Sequence, residues 1–218
     1  MRVNPDQAQS TVIKVQNITN QSKRVRADIR CLRVFPMVIM LALLLGAGLS
    51  LDGLWLAGKA KLAQVLLSQA WARTLEDGQV HKPWPWADHW PVARLFSKAH
   101  GIDQIVLAGD HGAVLAFAPG MNMQAAQPGG AGTIIISGHR DTHFGFMQDL
   151  KEGTEITIEN RKRTFRYRVH KMQIVDSRTT TINPGSSNDQ LLLITCYPFD
   201  KLEAGGHLRY VAFANAID

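Results

Sequence analysis

A thiol, an imidazole and a guanidinium stand at the ends of strand-like runs in this sequence. Cys196 closes LLLITC, His139 follows TIIIS, and Arg209 opens RYVAFA thirteen residues after the cysteine. Those three groups can carry out acyl transfer. A thiolate attacks a carbonyl carbon, but a free thiol has a pKa of about 8.5, so a base must help it ionise. His139 is the candidate base, and the same imidazole can later protonate a leaving amine. The tetrahedral adduct carries an oxyanion, which a permanently charged guanidinium with several donors can hold. Such groups occur in most chains of this length, so the argument rests on where they fall. In a small barrel, strand ends gather at a rim, where three distant positions can meet.

The elements that would position them are short. Residues 102–108, 113–118, 133–137, 154–159, 164–170, 173–176, 191–196 and 208–214 read as β-strands. In the fifth, Phe165, Tyr167 and Val169 alternate with Arg166, Arg168 and His170, the period of a half-buried strand. Turn chemistry separates the runs: APGMNMQAAQPGGAG, KEG, ENRK, NPGSSND and EAGG. About eight strands without long helices between them predict an all-β, closed antiparallel barrel. Upstream, residues 53–75 predict an amphipathic helix, with Leu62, Leu66 and Ala70 on one stripe and Ala63, Leu67 and Trp71 beside it. Residues 82–95, KPWPWADHWPVARL, hold three prolines and three tryptophans within ten positions. Two X-Pro bonds close together are expected to exclude regular helix and sheet there, leaving a wrap on the domain surface, a Trp belt at a membrane interface or a wall of a peptide groove.

Charge is unevenly placed. Residues 1–33 carry seven Lys/Arg against two acids, while the other 185 carry 17 against 16. The folded part is nearly neutral, with no field to steer nucleic acid, so no DNA or RNA partner is expected. Residues 34–51 form eighteen uncharged positions, the lower end of what spans a bilayer. The basic tail before them places the N-terminus in the cytoplasm and the rest outside the inner membrane, as a single-pass signal anchor over 34–52. A cleaved signal peptide and a buried core helix are the rival readings. The expected organisation is a basic tail (1–33), the anchor (34–52), helix and Pro/Trp-rich wrap (53–95), and a catalytic barrel (96–218). Cys31 and Cys196 would then lie on opposite sides and could not pair. An unpaired thiol in an exported domain suggests reactivity, against the alternative of an inert buried cysteine.

Taken together, LLITC at 192–196, GHRDTHF at 138–144, TCYPF at 195–199, the GGHLRYV run at 205–211, LAQVLLSQAW and PWPWADHWPVARL resemble the sortases, and among them the proteobacterial subgroup. Leu192 stands where that family's cysteine motif often has Thr. The resemblance covers roughly residues 53–218. It implies an eight-stranded sortase β-barrel, with Cys196 as nucleophile, His139 as acid/base and Arg209 as clamp on substrate and oxyanion. Thr195, Tyr197 and Asp141 would contact substrate, and residues 177–189 would read a sorting signal. The substrate would be an exported protein with a C-terminal Leu-Pro-x-Thr-Gly-like signal, and the acceptor an amine, normally of a cell-wall precursor. No loop cluster of acids maps onto a calcium site, so no metal and no cofactor is expected.

Other readings meet specific objections. His139 and His143 have H-x-x-x-H spacing, which with Cys196 invites zinc. The zinc form sits on a helix with Glu at its second position, and here a strand leads into HRDTH. Asp141 could orient His139, though an Asp beside a turn more often caps local backbone. An L,D-transpeptidase-like enzyme has His two residues before the nucleophile, where this chain has Ile194. A hydrolase using water as acceptor, and a non-catalytic domain that binds peptide by strand addition, complete the set.

Overall fold

The computed structural model describes residues 36–46, 53–182, 189–201 and 205–217. The basic tail, Cys31 and residues 183–188 of the expected signal-reading loop lie outside them. The chain divides into two compact units, Met1–Gly58 and Lys59–Asp218. In the first, residues 36–46 are helical, and the large apolar side chains from Met37 to Leu45 are exposed. Residues 34, 35 and 47–52 of the expected anchor are outside the described residues. Among those described, no helix is long and apolar enough to cross a membrane.

The second unit is a closed barrel of eight strands in the order β1-β2-β3-β4-β7-β8-β6-β5. The strands are β1 (Pro91–Ser97), β2 (Ile102–Ala108), β3 (Gly120–Met121), β4 (Thr133–Ser137), β5 (Glu155–Glu159), β6 (Thr164–Asp176), β7 (Gln190–Cys196) and β8 (Leu208–Ile217). Pairing of β1 with β5 closes the sheet and removes its edges. The barrel is mixed rather than wholly antiparallel: β2 pairs with β3, and β4 with β7, in parallel. Parallel neighbours need a long crossover, and β5 and β6 supply the one between β4 and β7.

The count of eight agrees with the expectation, but two strands are new and two expected runs were misassigned. Residues 113–118 hold a helical turn, Gly112–Leu115, not a strand. A short apolar run does not distinguish the two by itself. The helical spacing brings Val114 and Ala118 together against Leu67 and Trp71. The runs 164–170 and 173–176 are one strand, β6, with a register shift between Val169 and Lys171. β3 is only two residues long. β1 starts inside the segment expected to be an irregular wrap. Pro91 is its first residue, where a missing N–H is tolerated, and the register shifts just after it. The barrel therefore begins at Pro91 rather than at residue 96.

Inside the barrel, Leu95, Val106, Ile134, Ile136, Ile156, Ile158, Leu191 and Leu193 pack together, with Phe144, Met147 and Leu150 from the segment after β4. A second core lies outside the barrel wall. Residues 53–77 are helical, and from Lys59 onward the inward positions are Ala63, Leu67, Ala70, Trp71 and Thr74. Leu62, placed on the apolar stripe by sequence, is exposed. Leu67 and Trp71 meet Ile105 and Leu107 of β2 and the turn carrying Val114. Burying one such leucine contributes roughly 1.5–3 kcal/mol, so the helix from Lys59 onward is docked as part of the domain.

Candidate active site

β7 is almost wholly apolar, and its pleat divides it into two sets. Leu191 and Leu193 pack in the barrel core, and Thr195 continues their face. Leu192, Ile194 and Cys196 alternate with them onto the other face. β8 runs antiparallel alongside, and its register sets Cys196 directly opposite Arg209. Residues so paired hold their Cβ atoms about 4.5–5.5 Å apart. Both side chains are half-buried, and Cys196 is a free thiol. The Arg209 Nη1 donates to the carbonyls of Gly206 at 2.8 Å and Leu208 at 2.9 Å, both on its own stretch of chain.

The histidine arrives from the other side of β7. β4 pairs with β7 up to Ser137 opposite Ile194. Two further bonds extend that contact: the Gly138 N–H donates to the Ile194 carbonyl at 3.0 Å, and the Thr195 hydroxyl donates to the Gly138 carbonyl at 2.8 Å. Gly138 is thereby held against Thr195, and His139, exposed, is the next residue. The chain then folds back on itself, with the Phe144 N–H donating to the His139 carbonyl at 2.9 Å. Phe144 is fully buried, its ring lying against Gly138 so closely that a Cβ there would sit 2.6 Å from it. The Gln104 amide donates to the His143 carbonyl at 2.7 Å.

Arg140 locks this loop to the segment that leaves Cys196. Its side chain is 4% exposed. Nε and Nη2 donate to the two carboxylate oxygens of Asp141, at 2.6 and 3.0 Å. Nη1 donates to the Pro198 carbonyl and Nη2 to the Lys201 carbonyl, each at 2.5 Å. The Arg140 bonds hold the Asp141 carboxyl below its ordinary range, with the nearby His139 adding to the effect. Burial, and then the charge of His139, keep the His143 imidazole below its usual value. At the end of β6, bonds from Arg178 push Asp176 down to about 2, with His207 contributing.

A model of the sortase domain matches residues 98–217, more than half of the chain. The chain belongs to the sortase family. It is 32% identical over 87 residues to Sortase D of Bacillus subtilis, a match covering 39% of this chain and 43% of that one. The match thus spans less than half of that curated relative's length. Sortase A from Corynebacterium diphtheriae superposes with a TM-score of 0.54 at 26% identity, covering 61% of this chain and 63% of that one. The Sortase D5 transpeptidase of Clostridium perfringens gives 0.58 at 19% identity, over 72% and 99%, a likeness of fold.

In this sortase the fold brings Cys196, Arg209 and the His139 loop to one end of the barrel. The remaining expected site residues fall differently. Thr195, expected to line the groove, is 2% exposed, and its hydroxyl is committed to Gly138. Tyr197 is half-buried in an aromatic group with Tyr210, stacked at 6.3 Å, and Phe199, edge-on at 6.1 Å. Asp141 gives its carboxylate to Arg140 rather than acting as a plain backbone cap. Concavities of about 310 Å³ beside Trp90 and Met123, and about 610 Å³ beside Phe96 and Arg166, include none of these residues. Among the described residues, no group of three or more His, Cys, Asp or Glu could hold a metal ion. Arg140 was not among the residues singled out from sequence. An arginine in the polar stretch HRDTH carries no burial signal, and its acceptors are backbone carbonyls that no pattern marks.

Proposed function

We propose that this sortase is a membrane-anchored cysteine transpeptidase acting on an exported protein with a C-terminal Leu-Pro-x-Thr-Gly-like signal. The observation that carries the reading is the register of Cys196 against Arg209, with the His139 loop tied to the same strand from its other side. The Cys196 thiol gives its proton to His139, and the sulfur attacks the Thr carbonyl carbon. Arg209, level with the sulfur, faces the oxyanion as it forms. The C–N bond to the following residue breaks as His139 returns the proton to the leaving amine. The acyl group rests on Cys196 as a thioester. An incoming amine, normally of a cell-wall precursor, attacks that carbonyl, gives a proton to His139 and expels the thiolate.

The anchor at 34–52 would hold the barrel, from Pro91 onward, on the extracytoplasmic face, with residues 1–33 in the cytoplasm. Tyr197, Asp141 and the loop of residues 177–189 would border the bound signal.

The test uses the full chain in detergent, signal peptides, and hydroxylamine or a diaminopimelate-bearing peptide as acceptor, with mass spectrometry of products and of Cys196. Cleavage after Thr with transfer to the amine, abolished in Cys196→Ala, is the expected result. Water as the only acceptor would replace transpeptidase by hydrolase. Unchanged activity in Cys196→Ala would overturn both.

A further inference from the structure

Arg140 is a buried cation with four hydrogen bonds among the described residues, two to one carboxylate and two to backbone carbonyls, and the charge of Asp200 also acts on it. Two bonds go to Asp141, its chain neighbour. The other two reach 58 and 61 residues along the sequence, to Pro198 and Lys201. Backbone carbonyls are weaker partners for a guanidinium than a second carboxylate would be. What they offer is location, because Pro198 lies two residues beyond Cys196 and Arg140 lies one beyond His139. The planar fork reaches both chains at once with fixed geometry, which a single ammonium cannot do. The Asp141 bonds hold the Arg140 guanidinium above its ordinary range, against the opposing effect of burial.

We propose that Arg140 is a positioning residue for the transfer reaction, fixing the His139 loop against the chain that leaves Cys196 and so setting the separation of imidazole and thiol. The inference rests on the assignment of Cys196 and His139 as the reacting groups. Arg140 touches neither substrate nor the reacting atoms; it acts through the two backbones. Misplacing a catalytic group by about 1 Å costs on the order of 10²-fold in rate.

The experiment measures kcat and KM for signal-peptide transfer by the full chain in three forms: wild type, Arg140→Gln and Arg140→Lys. Thermal midpoints and the rate of Cys196 alkylation by a small reagent accompany them. The glutamine variant is expected to lose about 10²-fold in kcat while KM changes less than about threefold, the part expected from freeing Asp141 beside the signal. The lysine variant, which keeps a cation and donors for the carbonyls, is expected to recover about tenfold of that loss. If the glutamine variant fails to fold, the lysine variant decides: wild-type kcat overturns the proposal, and a kcat loss at constant KM in a folded protein supports it. Equal losses in kcat and KM, or no loss in the glutamine variant, overturn it. Cys196→Ala is run in parallel. If that variant stays active the functional reading fails, whereas an inactive alanine variant beside an active Arg140→Gln sinks only the inference.

Discussion

Cys196 and Arg209 meet across a strand ladder, whereas His139 stands on a loop just past the end of one. In the first half, backbone pairing alone sets the geometry: seven residue pairs of β7 and β8 run in unbroken register from Gln190 to Cys196. The second half has no such ladder beyond Ser137. It is assembled from single contacts, among them the Gly138 N–H on the Ile194 carbonyl, the Gln104 amide on the His143 carbonyl, the Thr195 hydroxyl, the Phe144 ring on Gly138, and the Arg140 fork. A ladder distributes its constraint over many bonds, so one side chain can change without moving its neighbours. A loop held by a handful of separate contacts has little redundancy, and each contact should matter to geometry as well as stability. On the proposed roles, the difference separates residues whose loss removes chemistry from residues whose loss moves it.

The largest effect is expected on the ladder side. Arg209→Ala should lower kcat/KM by about 10²–10³-fold, the scale of a lost oxyanion donor, with no resolvable change in thermal midpoint. Its visible bonds end on Gly206 and Leu208 carbonyls near the surface, which water can satisfy. A large drop in midpoint would show that the ladder half also depends on single side chains, and the contrast would fail. On the loop side, Gly138→Ala places a methyl 2.6 Å from the buried Phe144 ring. Overpacking of this kind costs about 1–3 kcal/mol, and displacement of the adjacent His139 should lower kcat by about 10²-fold. Both effects should appear together in one variant, read by denaturant unfolding and steady-state kinetics. Adding Phe144→Leu should recover part of each, and no recovery would mean that the ring does not place the loop.

The same contrast explains what the sequence revealed. Cys196 and Arg209 were legible because apolar runs and turn residues mark strand ends, and strand ends meet at a barrel rim. The exact opposition of the two follows from a register that only the structure provides. β1 was hidden because Pro91 and the tryptophans before it read as an interruption, although a strand can begin on proline. The 113–118 run was ambiguous between β-strand and helix until Leu67 and Trp71 supplied a partner for Val114 and Ala118. β3 is too short for any periodicity to register. The supports of the His139 loop were the least visible. Thr195 reads equally well as a groove residue, and Arg140 as a solvated one, because neither side chain's partner is near in sequence.

Thr195 lies between the two halves, on the ladder strand but bonded to the loop, and its replacement is the subtlest test. Valine has nearly the shape of threonine, so packing against the core is preserved and only the donor is removed. The Gly138 carbonyl, in a buried residue, then lacks that partner, a deficit of about 1–3 kcal/mol. If the hydroxyl merely stabilises the fold, Thr195→Val should unfold earlier in denaturant with kcat unchanged. If it also places the loop, kcat should fall by about tenfold, less than for Gly138→Ala because the Phe144 and Arg140 contacts remain. Thr195→Ser completes the pair. It keeps the donor and loses a methyl, so stability should fall by about 0.8 kcal/mol for the removed carbon while most of kcat returns. A serine variant as slow as the valine variant would make the methyl, and hence core packing, the controlling contact, and His139 would then belong with the ladder half after all.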